Sequence, residues 1–234
     1  MKRHISLLLF VSVILVIVVG SVFHIFSKNN TSDSDVPHSQ ASSPAGISVV
    51  PSSHLDGKAV PSSPMSVHVS DAQALKLYDL ALKLYYQRQF PEALKLFNQA
   101  LAIDPQCYEA LNAKGATLAF QGNHEEGLAL IQQALDLNPA FVYGHFNQGL
   151  ANELAGRWDI AIAAYQKALQ IDNRDTWSYY GIASIYGRQG NVAKVLEYLE
   201  PAINLDPDVR EVARAERDFA SVQKDPRFQT LVQP

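Results

Sequence analysis

Four alanines spaced 34 residues apart constrain this chain more than any other feature. Ala100, Ala134, Ala168 and Ala202 sit in closing phrases of one form, QALAIDP at 99–105, QALDLNP at 133–139, KALQIDN at 167–173 and PAINLDP at 201–207. Pro105, Pro139, Asn173 and Pro207 keep the interval, as do Gly122, Gly156 and Gly190, with Arg88 in the corresponding place of the first unit. Self-similarity at a fixed period of about 20–50 residues marks stacked supersecondary units and not a single continuous core.

Within each unit the apolar period is helical. In the first, Leu77, Leu80, Ala81 and Leu84 recur at threes and fours, followed by a polar turn at Gln87-Arg88-Gln89. Pro91 then opens a second helix, in the first turn where a missing N–H costs nothing. Ala93, Phe97 and Ala100 continue the period, and the proline that closes three of the units stops it. Two short helices cannot bury their apolar face alone, so neighbouring pairs must stack.

These residues resemble the tetratricopeptide repeat family. Its pattern asks for a small residue at the eighth position of each unit, here Ala81, Gly115, Gly149 and Ala183. A second small residue is expected at the twentieth, supplied by Ala93, Gly127 and Ala161, with Val195 departing. A bulky residue follows at the twenty-fourth: Phe97, Ile131, Tyr165 and Leu199. The resemblance spans Ala74 to Pro207 and implies an all-α fold, a right-handed α-solenoid of four helix pairs over 74–107, 108–141, 142–175 and 176–209. A capping segment over 208–234 completes the domain at 71–234. In it Val209, Val212, Ala213 and the run Ala215 to Phe219 read as one amphipathic helix, with Phe228 and Leu231 on a final turn. His145 and Asn152 make the third unit's first helix the least regular. Pro201 predicts a kink near Glu197, because it removes one backbone bond.

The resemblance further implies a protein-binding role, with the first helix of each unit lining a concave face. Carried position by position, that groove holds Tyr78, Leu82, Tyr85 and Tyr86, then Asn112 and Phe120, then Tyr143, Phe146 and Glu153, and finally Trp177, Tyr180 and Arg188. The family's Hsp70/Hsp90-type carboxylate clamp needs Lys and Asn where this chain has Tyr78 and Leu82. It also needs Lys and Arg where the chain has Tyr143 and Asn147, so no such clamp is expected. The aromatic character suits an apolar or amphipathic peptide segment of an envelope protein. Self-association through the convex face is the alternative.

The chain ahead of the repeats carries its own signals. Lys2, Arg3 and His4 precede Ile5 to Phe26, 22 residues without a formal charge. As a helix this run would be about 33 Å long, enough for a hydrocarbon core of about 30 Å. It exceeds the apolar core of about 7–15 residues in a cleaved signal and is followed by no small-x-small site. A retained transmembrane signal-anchor over 1–26 is therefore expected, with a secreted form after cleavage as the alternative. Lys2 and Arg3 place the N-terminus in the cytoplasm and the repeats beyond the membrane, in the periplasm of a bacterial cell. Residues 27–70 hold thirteen serines and five prolines and few large apolar groups, the composition of a flexible linker. Treated as a coil, it spans on the order of 35–40 Å.

Composition argues against most chemistry. From Asp71 onward 15 Lys+Arg face 20 Asp+Glu, a net charge of −5, which offers phosphates no footprint, so no nucleic acid partner is expected. Cys107 is the single cysteine and can form neither an internal disulfide nor a cysteine-based metal site. His124 and His145 have no second ligand or base one helical turn away, and no Gly-rich phosphate loop or G-x-S-x-G occurs. Glu125 and Glu126 are adjacent on a helix and point different ways. The sequence thus predicts no catalytic residues, no cofactor and no metal.

Overall fold

The computed structural model describes residues 68–233; the apolar run 5–26 and residues 27–67 of the Ser/Pro segment lie outside them. Among the described residues no helix is long and apolar enough to cross a membrane. The chain runs through α1 (Ala72–Tyr86), α2 (Phe90–Ile103), α3 (Tyr108–Phe120), α4 (His124–Leu137), α5 (Val142–Leu154), α6 (Trp158–Ile171), α7 (Thr176–Arg188) and α8 (Val192–Leu205). A shorter tail follows: α9 (Val209–Ala215), a 3-10 turn at Arg217–Phe219 and α10 (Pro226–Leu231). Consecutive helices pair as α1 with α2 through α7 with α8, and each pair packs on the next. The first helices also touch in succession, α1 on α3, α3 on α5 and α5 on α7, so they form the inner layer.

Small residues set the distance between paired helices. A Cβ added at Gly115 would sit 2.5 Å from the Gly127 carbonyl oxygen, and one added at Gly127 would sit 2.5 Å from that of Gly115. The two backbones meet with no room for a methyl group. In the third pair the bulky partner fills the space instead. The Tyr165 ring lies 2.6 Å from an added Cβ at Gly149 and 2.7 Å from one at Gly181, wedging α6 between α5 and α7. Ala81 and Ala93, both fully buried, lie in one core cluster of the first pair.

Each pair turns through the same hydrogen-bonded corner. The Gly122 N–H donates to the Ala119 carbonyl at 3.0 Å and the Asn123 N–H to Leu118 at 2.9 Å, closing the helix with a left-handed residue. The pattern recurs at Gly156 and Gly190, with φ of 76° and 72°. In the first corner Arg88 occupies the position at φ 61°. A side chain in the left-handed region costs about 1–2 kcal/mol, part of which glycine's greater chain entropy offsets. Arg88→Gly is therefore expected to stabilise the chain by about 0.5–1 kcal/mol, read as a rise of a few degrees in the helical melting curve. An unchanged or lower melting temperature would count against a strained corner.

Between units, a side chain closes the loop. Asp104, Asn138, Asp172 and Asp206, again 34 residues apart, each accept a hydrogen bond from the backbone N–H two residues on, at 2.9 to 3.2 Å. The first of these also ties down the entering chain. His68 Nε2 lies 2.9 Å from an Asp104 oxygen, the Asp71 N–H donates to Asp104 at 2.9 Å, and Ser70 Oγ donates to Glu109 at 2.6 Å. Burial pushes the Asp104 carboxyl up, but these hydrogen bonds outweigh it and hold the group below its ordinary value. Asp71 in turn caps α1, accepting from the N–H groups of Gln73 and Ala74.

One local expectation meets a different outcome. The tail is not one helix from Val209 to Phe219. Glu216 is extended, with φ −81° and ψ 131°, and its side chain caps the following 3-10 turn. The break swings Phe219 onto Tyr180 and Phe228, with ring centroids 5.8 and 5.4 Å away. Its apolar contact outweighs the helix bonds lost. Pro201 lies inside α8, and the helix continues through it to Leu205. The third unit's odd residues are also accommodated: His145 Nε2 meets the Pro139 carbonyl at 2.9 Å, and Asn152 donates to Gln148 O at 2.8 Å.

The 34-residue register runs on into the tail. Ser184 meets Asp218, and Ser221 meets the Gly187 carbonyl, each pair 34 residues apart. α10 starts at Pro226, 34 residues after α8 starts at Val192, as α6 and α8 themselves are spaced. The cap is thus a shortened fifth pair, its first helix broken and its second cut to six residues.

Candidate partner-binding face

The inner layer carries the residues that register assigned to a groove, and burial divides them. Leu82, Tyr85, Asn112, Phe146, Glu153 and Tyr180 are buried, so as the array stands they offer no contact surface. Tyr78, Tyr86, Phe120, Tyr143, Trp177 and Arg188 are half-buried. Rings pack together within α1, α5 and α7, and Tyr85 also meets Phe120 of the next first helix. Tyr85 touches Tyr86, Phe90 and Phe120, with centroids 5.4 to 5.9 Å apart, and Phe90 stacks on Phe120. Tyr143 stacks on Phe146 at 5.9 Å, and Trp177 meets Tyr180 edge-on at 5.8 Å.

Phenols converge where the inner layer faces itself. The Tyr143 and Tyr86 hydroxyls lie near enough to influence each other's ionisation, bringing the third unit close to the first. Tyr86 also packs against the cluster that joins the fourth unit to the tail. Burial pushes the Tyr78 and Tyr143 hydroxyls well above the ordinary phenol value, and the neighbouring phenols add to it. Asn112 is fully enclosed with both side-chain polar atoms unpaired, and the Asn147 amide nitrogen is likewise unpaired.

Glu153 and Arg188 also belong to a charged cluster at the end of the array. Arg188 binds Glu153 by a short ion pair, stands 3.4 Å from Asp218 of the tail, and lies over the Trp158 ring at 5.4 Å. The Tyr165 hydroxyl donates to the other Glu153 oxygen at 2.7 Å. Both residues are therefore engaged in joining the last two units to the cap.

Large apolar side chains that stay exposed lie elsewhere. Leu80 is 48% and Ile160 56% exposed, and Ile103, Ile171 and Leu205 end the second helices α2, α6 and α8 at multiples of the 34-residue period. Among the described residues no group of three or more His, Cys, Asp or Glu is placed to hold a metal ion. Burial pushes the Cys107 thiol up to about 11, so it is a poor nucleophile.

Comparison with known proteins bears on the fold. Family models described as tetratricopeptide repeat match residues 78–126, 113–176 and 178–209, together more than half of the chain. No curated protein matches it in sequence. Among solved structures, a crystal structure of MamA protein superposes with a TM-score of 0.52 at 19% identity, covering 68% of this chain and 89% of that one. MamA 41-end from Desulfovibrio magneticus RS-1 gives 0.49 at 20% identity, covering 58% and 76%. The first TPR of Spaghetti (RPAP3), bound to the HSP90 peptide SRMEEVD, gives 0.46 at 17% identity, covering 50% and 94%.

Proposed function

The chain belongs to the tetratricopeptide repeat family, and from that premise we propose that it is a non-enzymatic scaffold, tethered to a membrane, that holds a peptide segment of an envelope protein along its inner face. The observation that carries this reading is the row of half-exposed aromatic rings, Tyr78, Tyr86, Tyr143 and Trp177, drawn from the first, third and fourth units. Such rings offer large contact area with little rotamer entropy to lose. A segment laid there would find the Tyr143 and Tyr86 hydroxyls side by side as hydrogen-bonding groups. The signal-anchor expected at 1–26 and the linker at 27–70 would place the array outside the cytoplasm. A reporter fused after residue 234 that is active only in the cytoplasm would overturn that orientation.

The face is tested by a photoreactive residue placed in cells at Trp177, with Leu80 as control. The expected result is one discrete protein adduct at Trp177 and none at Leu80; adducts confined to Leu80 would sink the inner-face assignment. The exposed Leu80 and Ile160, with the row Ile103, Ile171 and Leu205, favour a second reading in which copies associate through the outer face. Light scattering of the full chain separates the two, since a dimer lost on replacing Ile160 by Glu supports self-association.

A further inference from the structure

The joint between α7 and the tail gathers more negative charge than its cation can balance. Glu153 of α5, Glu216 and Asp218 of the tail are all buried, and one guanidinium, Arg188 of α7, faces them. Arg217 bears on Glu216 from the solvent side. Ser184 Oγ donates to Asp218 at 2.5 Å, and Tyr165 Oη donates to Glu153. Tyr180 Oη and Glu216 Oε2 have no hydrogen-bond partner, although both are enclosed. Like charges packed in a low-dielectric site repel strongly unless one of them is neutral. The same residues fasten the cap mechanically, with Phe219 flush against Gly187 and Ser221 bonded to the Gly187 carbonyl.

The geometry points to a proton-operated latch: Asp218 holds a proton while the cap is docked on the fourth unit, and losing that proton loosens the cap. Burial pushes the Asp218 carboxyl up to about 7, with Arg188 and Ser184 pulling against it and Glu153 and Glu216 reinforcing it. Burial also raises Glu216, and Tyr180 stays neutral throughout because its hydroxyl is held well above the ordinary phenol value. A carboxyl whose docked value exceeds its free value stabilises docking fully at low pH. That contribution is lost as pH rises towards and through about 7. Opening would uncover Tyr180, Val195 and Leu199, the apolar end of the fourth unit.

Thermolysin cleavage before Phe228 in the full chain, normalised at each pH to a synthetic 217–231 peptide, reads the latch directly. Between pH 5.5 and pH 8 the normalised rate is expected to rise about ten- to thirtyfold. In Asp218→Asn the rate should stay flat, and in Glu216→Gln the rise should remain but move to lower pH. A flat wild-type profile, or an Asp218→Asn profile that rises like the wild type, overturns the proposal. Should Asp218→Asn fail to fold, an unmoved midpoint in Glu216→Gln overturns it equally, because a merely structural contact would not shift a titration.

Discussion

Replacing Tyr165 by alanine is expected to lower the melting temperature by about 10–15 °C, since truncating a buried aromatic costs about 3–5 kcal/mol in a domain of this size. The ring is 1% exposed and fills the gap that Gly149 and Gly181 leave between α5 and α7. Neither glycine can collapse into the void, because each has only a hydrogen to offer. The loss goes beyond packing. Glu153 would forfeit the hydroxyl that donates to it at 2.7 Å and keep a buried oxygen unpaired, worth about a further 1–3 kcal/mol. Tyr165→Phe separates the parts by keeping the ring and removing the donor. If both variants melted alike, the wedge between the two glycines would not be what holds the third and fourth units together.

Phe219→Ala should act on one end of the molecule and leave the other intact. Phe219 is fully buried between Tyr180 and Phe228, and its truncation costs about 3–5 kcal/mol locally. In stacked repeats each unit leans on its neighbours, so an end can open while the rest stays folded. Hydrogen exchange should show amides of α9, α10 and the fourth unit exposed, while those of α1 to α4 keep their protection. Uniform loss of protection along the chain would mean that the cap governs the whole array.

The sequence made the repeat legible because it is written in local terms. Ala81, Gly115, Gly149 and Ala183 announce close helix contacts by their size, and Gly122, Gly156 and Gly190 announce a left-handed corner. The fate of the inner aromatics was not legible. Register places Tyr85 and Phe120 on the inner face, but whether two such rings meet depends on small rotations summed over several joints. The role of Arg188 was hidden for a related reason, since its partners Glu153 and Asp218 lie 35 and 30 residues away in different elements. The broken fifth pair could have been found by carrying the 34-residue count from Trp158 and Val192 on to Pro226. The polar, charged composition of that stretch masked it.

Tyr86 gives the array a property that stacking alone does not supply. A coil of helix pairs joined only to their neighbours stretches like a spring, each joint yielding a little under load. Tyr86 reaches across the inside, its hydroxyl near that of Tyr143 of the third unit and its ring pressed against the cluster of the fourth unit and tail. That cross-brace turns an open coil into a truss, whose pitch cannot change until the strut lets go. Tension applied between the entering chain at His68 and the cap would then be resisted stiffly at first. Beyond a threshold, set by the contacts of that one ring, the molecule would lengthen abruptly.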